Sequence, residues 1–320
     1  MAGDTPPRPP TQDQRLNDID AIIAAARAWA GQPMALATVV EASGSAPRPR
    51  GGHMLIAADG RFAGSISGGC VEYDVFAMAE RALSKGETSL RYFGSTDPSV
   101  WEPGLPCGGQ IGVLVQPVSE AGFAPALFEA IAQARAAGKA VAISTDLATG
   151  KARLGTQAGQ FVNLYEPARK LLIVGAVQIG QALAAIAQTL GMAVTVNDPR
   201  ERFLSAERFP GVTLTDAWPD EAVAAFAPNA ACAVVTLSHD IKIDDPALIA
   251  ALARPTGYVG ALGSRANQAR RLERLAAAGV SADDLRRVDG PAGLPIGGLG
   301  PQEIALSIAA GMVAALRGAR

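Results

Sequence analysis

The unbroken apolar run Leu171-Leu172-Ile173-Val174, entered from Lys170 and left through Gly175, constrains the fold more than any other stretch. It lacks the alternation of a half-exposed strand, so it reads as a strand covered on both faces, as in a parallel sheet. Gly175-Ala176-Val177-Gln178-Ile179-Gly180 follows, then a helix to Leu190 closed by Gly191, then a strand from Val194 to Asn197 that ends at Asp198. A strand, a glycine turn, a helix and a second strand with an acidic residue about twenty positions on is the opening of a Rossmann-like doubly wound sheet. Gly175 serves the turn, Gly180 the helix–strand packing, and Asp198 stands where ribose hydroxyls are bound in such folds. The middle glycine, whose missing side chain lets a pyrophosphate reach the backbone, is Val177 here. That argues against tight NAD(P) binding and leaves the fold reading intact.

Further strands are expected at Val212 to Leu214, Cys232 to Thr236 and Tyr258 to Leu262, and Cys232 reads as core. Loops at strand C-termini face the ligand crevice of an open α/β sheet. Two of them carry polar groups, Ser238-His239-Asp240 and Gly263-Ser264-Arg265. His239 beside Asp240 is suited to a general base or an anion ligand, and Arg265 opens a helix near the crevice; alternatively Ser238 and Ser264 only cap helices. A glycine- and proline-rich loop, Gly290 to Gly300, precedes a last helix begun by Pro301 and Glu303.

The first half reads as a mixed α/β domain. A helix from Asp13 to Ala30 carries Leu16, Ile19, Ile22, Ile23 and Ala26 at helical spacing, and a strand runs from Met34 to Val40. Ser43 to Gly52 is a turn-forming loop holding Arg48 and Arg50, forked donors suited to phosphate on a Pro-stiffened segment, or else two solvated arginines. Strands His53 to Ala57 and Arg61 to Ile66 form a hairpin around Asp59-Gly60. It leads into Gly64-Ser65-Ile66-Ser67-Gly68-Gly69-Cys70-Val71-Glu72 and an amphipathic helix. Cys70 thus falls at or next to a helix N-terminus, where N–H groups and the dipole favour an anion, a thiolate included. The other reading makes Cys70 a small buried residue and the glycines a tight turn. After a strand from Leu90 to Phe93, Cys107-Gly108-Gly109 lies at the mouth of a strand from Ile111 to Gln116. A helix from Ala124 to Ala136, a strand from Ala140 to Thr145 and shorter strands to Tyr165 complete this half, with a boundary near Glu166-Pro167.

The expected organisation is therefore a disordered Pro-rich tail over 1–14, an N-terminal domain over 15–166 and a Rossmann-like domain over 167–320. Lys plus Arg total 28 against 30 for Asp plus Glu, which offers no electrostatic footprint for nucleic acid. Three scattered cysteines, Cys70, Cys107 and Cys232, make no disulfide framework and favour the cytoplasm. With two histidines and no Cys-x-x-Cys pair, a closed zinc site is not expected. The late apolar run Ile304 to Leu316 is too short for a membrane span.

Jointly these segments resemble the XdhC/CoxI family, accessory proteins of molybdenum hydroxylases such as xanthine dehydrogenase and carbon monoxide dehydrogenase. The carriers are Gly44-Ser45-Ala46-Pro47-Arg48 with Gly51 and Met54-Leu55, the stretch Gly64 to Glu72, and Cys107-Gly108-Gly109. In the second half they are Asp198-Pro199-Arg200, Ser238-His239-Asp240, Tyr258-Val259-Gly260, Leu262-Gly263-Ser264-Arg265 and Pro301-Gln302-Glu303-Ile304-Ala305. This chain departs from the family at Val177-Gln178, where Gly-His is common, and at Pro295, where aspartate is usual.

The resemblance implies a chaperone that binds the molybdenum cofactor, protects it while its terminal sulfido ligand is installed, and hands it to an apo molybdenum hydroxylase, with a cysteine desulfurase as second partner. Site residues expected on that basis are Arg48, Ser67, Gly68, Gly69, Cys70, Glu72, Cys107, Gly108 and Gly109, with Gly175, Gly180, Asp198, His239 and Arg265 in the second domain. Cys70 and Cys107 are the expected contacts to molybdenum or its sulfur. A homodimer would suit a protein that presents a pocket at an interface. Two other readings stay open: an NAD(P)-dependent oxidoreductase built on the Rossmann-like domain, and a scaffold that docks a desulfurase to a dehydrogenase without touching the cofactor.

Overall fold

The computed structural model describes residues 19–46, 48–94 and 108–319; the N-terminal tail over 1–14 and Cys107 lie outside the described residues. The chain divides between Pro167 and Ala168 into two compact units.

In the first unit, α1 (Ile19–Ala28) buries Ile19, Ile22, Ile23 and Ala26, the spacing that made it helical in sequence. It is followed by β1 (Met34–Ser43), β2 (His53–Ala57), β3 (Phe62–Gly64), α2 (Glu72–Lys85), β4 (Ser89–Phe93) and β5 (Gln110–Pro117). The five strands form an antiparallel sheet in the order β3-β2-β1-β5-β4. β1 is central and buried from Met34 to Val40, which explains its continuous apolar run. Alternate residues serve opposite faces. Ala35, Ala37 and Val39 meet Val75, Met78 and Ala82 of α2, while Leu36 and Leu55 meet α1 and α3 (Pro125–Ala136). A small antiparallel sheet of β6 (Val141–Thr145), β7 (Ala152–Leu154) and β8 (Phe161–Tyr165), ordered β7-β6-β8, packs into that second core.

Most boundaries shift from the sequence expectation by a residue, and two of the differences have a clear cause. β1 runs on to Ser43 through an irregularity between Val39 and Glu41, held by its pairing with β5. β3 stops at Gly64 rather than Ile66, because Ser65 to Val71 leave the ladder to bond with Glu72.

The second unit is a parallel six-stranded sheet: β9 (Lys170–Val174), β10 (Ala193–Asn197), β11 (Thr213–Thr215), β12 (Cys232–Thr236), β13 (Tyr258–Ala261) and β14 (Val288–Asp289), in the order β11-β10-β9-β12-β13-β14. The first strand lies in the middle and the order reverses between β9 and β12, the Rossmann arrangement. Leu171 and Ile173 face α4 (Gln178–Thr189) and α9 (Pro301–Leu316). Leu172 and Val174 face α5 (Pro219–Phe226), α6 (Ile241–Leu252) and α7 (Arg265–Ala277), with the short α8 (Ala282–Leu285) leading to β14. Burial on both faces is the reason that run shows no alternation. Gly175 holds φ at 109°, and a Cβ there would stand 2.7 Å from the Ser238 nitrogen; only glycine lets the ends of β9 and β12 approach so closely. Cys232 is fully buried in β12, and burial pushes its thiol up. No helix among the described residues is long and apolar enough to cross a membrane.

Candidate functional site

Strand direction gathers the motifs of the first unit. In an antiparallel sheet ordered β3-β2-β1-β5-β4, the C-termini of β1, β3 and β4 and the N-termini of β2 and β5 share one end. Gly44 to Ala46, Arg48 to Gly52, Ser65 to Val71, Gly94 and Gly108-Gly109 flank the strands at that end. Two of them touch directly: a Cβ on Gly109 would lie 2.5 Å from the Ala46 nitrogen and 2.7 Å from the Ser45 carbonyl carbon. The Gly44-Ser45-Ala46 and Gly108-Gly109 motifs are thus a backbone-to-backbone contact between the end of β1 and the start of β5. Gly109 is buried and Gly108 exposed. Arg48 is half-buried within the 44–52 segment. Arg50 has a structural task there: its Nε donates to the Val40 carbonyl at 3.1 Å and its guanidinium stacks 4.6 Å over Phe161.

Cys70 is an exposed free thiol next to Val71, the N-cap of α2. The loop before it is organised around the Glu72 carboxylate at the first position of the helix. Glu72 accepts from the Ser65 hydroxyl at 2.9 Å, the Ser67 N–H at 2.9 Å, the Gly69 N–H at 2.8 Å and the Ser67 hydroxyl. Longer bonds come from the Ile66 and Val71 N–H groups, each at 3.3 Å. Burial alone would raise the pKa of Glu72, but these donors outweigh it and hold the carboxyl at about 2. Four of the amides around the glycine turn, those of Ile66, Ser67, Gly69 and Val71, are therefore bonded to the chain's own carboxylate, and the Gly68 N–H goes to the Ser65 hydroxyl at 2.9 Å. Gly68 and Gly69 adopt φ of 77° and 119°, and a Cβ on either would meet open space. They present bare backbone beside Cys70.

His53, at the same sheet end, is structural. Its Nδ1 pairs with the Thr38 hydroxyl at 3.0 Å and its Nε2 with the Tyr165 hydroxyl at 2.9 Å, and burial lowers its pKa to about 4. Among the described residues no cluster of three or more His, Cys, Asp or Glu side chains is arranged to hold a metal ion.

In the second unit the residues picked from sequence lie along the carboxyl edge of the parallel sheet. Asp198 is fully buried. One of its oxygens takes the Ala176 N–H at 2.8 Å and Arg200 Nη2 at 2.8 Å; the other takes Arg200 Nε at 2.8 Å and the Arg200 N–H at 3.0 Å. Burial disfavours the charge, and the Arg200 guanidinium with the two N–H groups overcomes that, so Asp198 titrates below its ordinary value. The first of these oxygens ties the turn after β9 to the loop after β10, and the second holds that loop to Arg200. Gly180 sits inside α4, where a Cβ would come within 2.9 Å of the Gly175 carbonyl. His239 is exposed with φ at 62°, a left-handed conformation that histidine tolerates better than most residues. Asp240 caps α6 by accepting the Lys242 N–H at 2.9 Å, and Ser264 caps α7 by accepting the Asn267 N–H at 3.2 Å. Arg265 is exposed in the first turn of α7.

A family model described as the XdhC Rossmann domain matches residues 171–312, and one described as the XdhC and CoxI family matches residues 28–94. The chain belongs to the XdhC and CoxI family. "Molybdenum cofactor insertion chaperone PaoD" of Escherichia coli (strain K12) is 29% identical over 273 residues, spanning 82% of this chain and 77% of its own length. A probable xanthine dehydrogenase subunit of Bacillus subtilis (strain 168) is 28% identical over 314 residues, spanning 87% of this chain and 92% of its own length. A crystal structure named as that of a xanthine dehydrogenase from Bacillus halodurans is similar with a TM-score of 0.79 and 26% identity, over 95% of this chain and 97% of that one. Against the XdhC/CoxI pattern the two departures have clear positions. Val177 is the N-cap of α4 and packs on the core. Pro295 lies between β14 and α9, beside Leu294, whose N–H donates to the Ser307 carbonyl at 3.1 Å.

Proposed function

We propose that this chain is a molybdenum cofactor insertion chaperone: it holds the cofactor, supports installation of its sulfido ligand by a cysteine desulfurase, and delivers it to an apo molybdenum hydroxylase of the xanthine dehydrogenase type. The observation that carries this reading is the convergence of the three motif segments of the first unit on one sheet end, with an exposed Cys70 beside side-chain-free backbone at Gly68 and Gly69. Family membership and the chaperone named among its relatives support it. Because Ser67, Gly69 and Val71 already donate to Glu72, the anionic part of the cargo is assigned to Arg48. Cys70 and Cys107 are the soft donors that would face molybdenum or its sulfur. A nicotinamide dinucleotide reading is not supported by the second unit, since Asp198 has both oxygens engaged and Val177 occupies the pyrophosphate position.

The test uses protein purified from a cofactor-producing host, oxidised so that bound cofactor is released as fluorescent pterin, with added cofactor where loading is incomplete. Wild type is expected to retain pterin and Cys70→Ser and Cys107→Ser to lose most of it. Retention by both variants would remove the thiols from the site, and no binding by wild type even with cofactor supplied would overturn the reading.

A further inference from the structure

The second unit contains a cavity of about 260 Å³ at the carboxyl edge of the parallel sheet, beyond β12 and β13 and between α6 and α7. Arg271 forms part of its wall and is only 5% exposed. Its two terminal nitrogens donate to neutral acceptors, the Gln268 side-chain oxygen at 2.7 Å and the Leu262 carbonyl at 2.7 Å. Its Nε is buried without a hydrogen-bond partner among the described residues.

A buried guanidinium is ordinarily paired with a carboxylate, because desolvating an unpaired charge is costly. Two carboxylates, Asp244 and Asp245, also line the cavity, and neither is hydrogen-bonded to Arg271. Asp245 forms a two-point ion pair with Arg274, at 2.7 and 3.0 Å. Asp244 accepts the Ser238 hydroxyl at 2.7 Å, and burial pushes its pKa up. Arg270 adds a further cation to the same wall, and His239 stands at the rim. The wall thus sets three arginines, Arg270, Arg271 and Arg274, against the two carboxylates, with Ile241 and Leu262 as an apolar side and Asn267 as a neutral hydrogen-bonding group.

We propose that this cavity binds a small phosphate ester, a sugar phosphate or nucleoside monophosphate, with its phosphate toward Arg270 and Arg271 and its body against Ile241 and Leu262. Arginine forks match phosphate oxygens, which favours phosphate over a compact anion of lower charge. The volume of about 260 Å³ lies just under the range of roughly 300–1,000 Å³ for drug-sized sites, which limits the ligand to a small one.

The test titrates the full chain with cytidine monophosphate, ribose 5-phosphate, inorganic phosphate and uncharged cytidine, by calorimetry and by thermal shift. Both esters are expected to bind more tightly than inorganic phosphate, with cytidine inert. Arg270→Glu, on an exposed position, is expected to weaken the esters roughly tenfold or more while leaving the unliganded melting temperature unchanged. Arg271→Gln tests the buried group itself. No ester binding by wild type, ester binding indifferent to Arg270→Glu, or inorganic phosphate binding as tightly as the esters would each overturn the assignment. None of these arms requires the molybdenum cofactor, so they read independently of the chaperone function.

Discussion

Glu72 shows how one side chain can carry a loop. Read along the chain it belongs to the polar face of an amphipathic helix; in space it closes the positive end of that helix and bonds four of the N–H groups from Ile66 to Val71. Glu72→Gln keeps the shape and removes the charge, and is expected to destabilise the first unit by about 1–3 kcal/mol at neutral pH, measured by urea unfolding. Since the folded carboxyl sits at about 2 against an ordinary value of 4.5, its contribution is present above 4.5 and fades as pH falls toward 2. Wild type should therefore lose stability over that window more steeply than Glu72→Gln. The signal was present in sequence as two serines followed by a glutamate at a helix start, Ser65-x-Ser67 and then Glu72. It was not legible as an internal anion site, because the same glycine-rich stretch equally suits an external anion. Arg271 was hidden for a related reason: on α7 it reads as one more cation of a solvated face, and only the packing of Leu262 and Gln268 around it shows that it is interior.

At the scale of elements, the glycines separate into those that answer to neighbours and those that answer to backbone conformation. Gly109→Ala would drive a Cβ to 2.5 Å from the Ala46 backbone and force β1 and β5 apart where their loops touch. Gly68→Ala meets open space and carries only the penalty of a left-handed φ, about 1–2 kcal/mol. Chemical unfolding should rank Gly109→Ala well below Gly68→Ala in stability, and a reversed order would count against the close contact. Sequence spacing located most strands and helices, since each buries a face at the expected period. What it did not supply was the order β3-β2-β1-β5-β4, and with it the meeting of loops far apart along the chain. Pairing across a sheet is decided by non-local packing, which no single segment records.

For the molecule as a whole, the parallel unit carries two cores of its own, one on each face of its sheet. A fragment spanning 168–319 is expected to fold alone and melt in one cooperative transition, checked by near-ultraviolet circular dichroism; a featureless spectrum would show that its cores need the rest of the chain. The run from Leu171 to Val174 with Gly175 and Gly180 points in sequence to a doubly wound sheet, and those residues occupy its first strand, the turn after it and the first turns of α4. The loop around Glu72 bears finally on how a carrier lets go. A delivery protein must be nearly as content empty as full, or its passenger becomes part of its fold and never leaves. By bonding four of the N–H groups between Ile66 and Val71 from within, Glu72 gives the first unit a resting shape that is largely settled when empty, so a cargo held there as proposed could arrive and leave with little rearrangement.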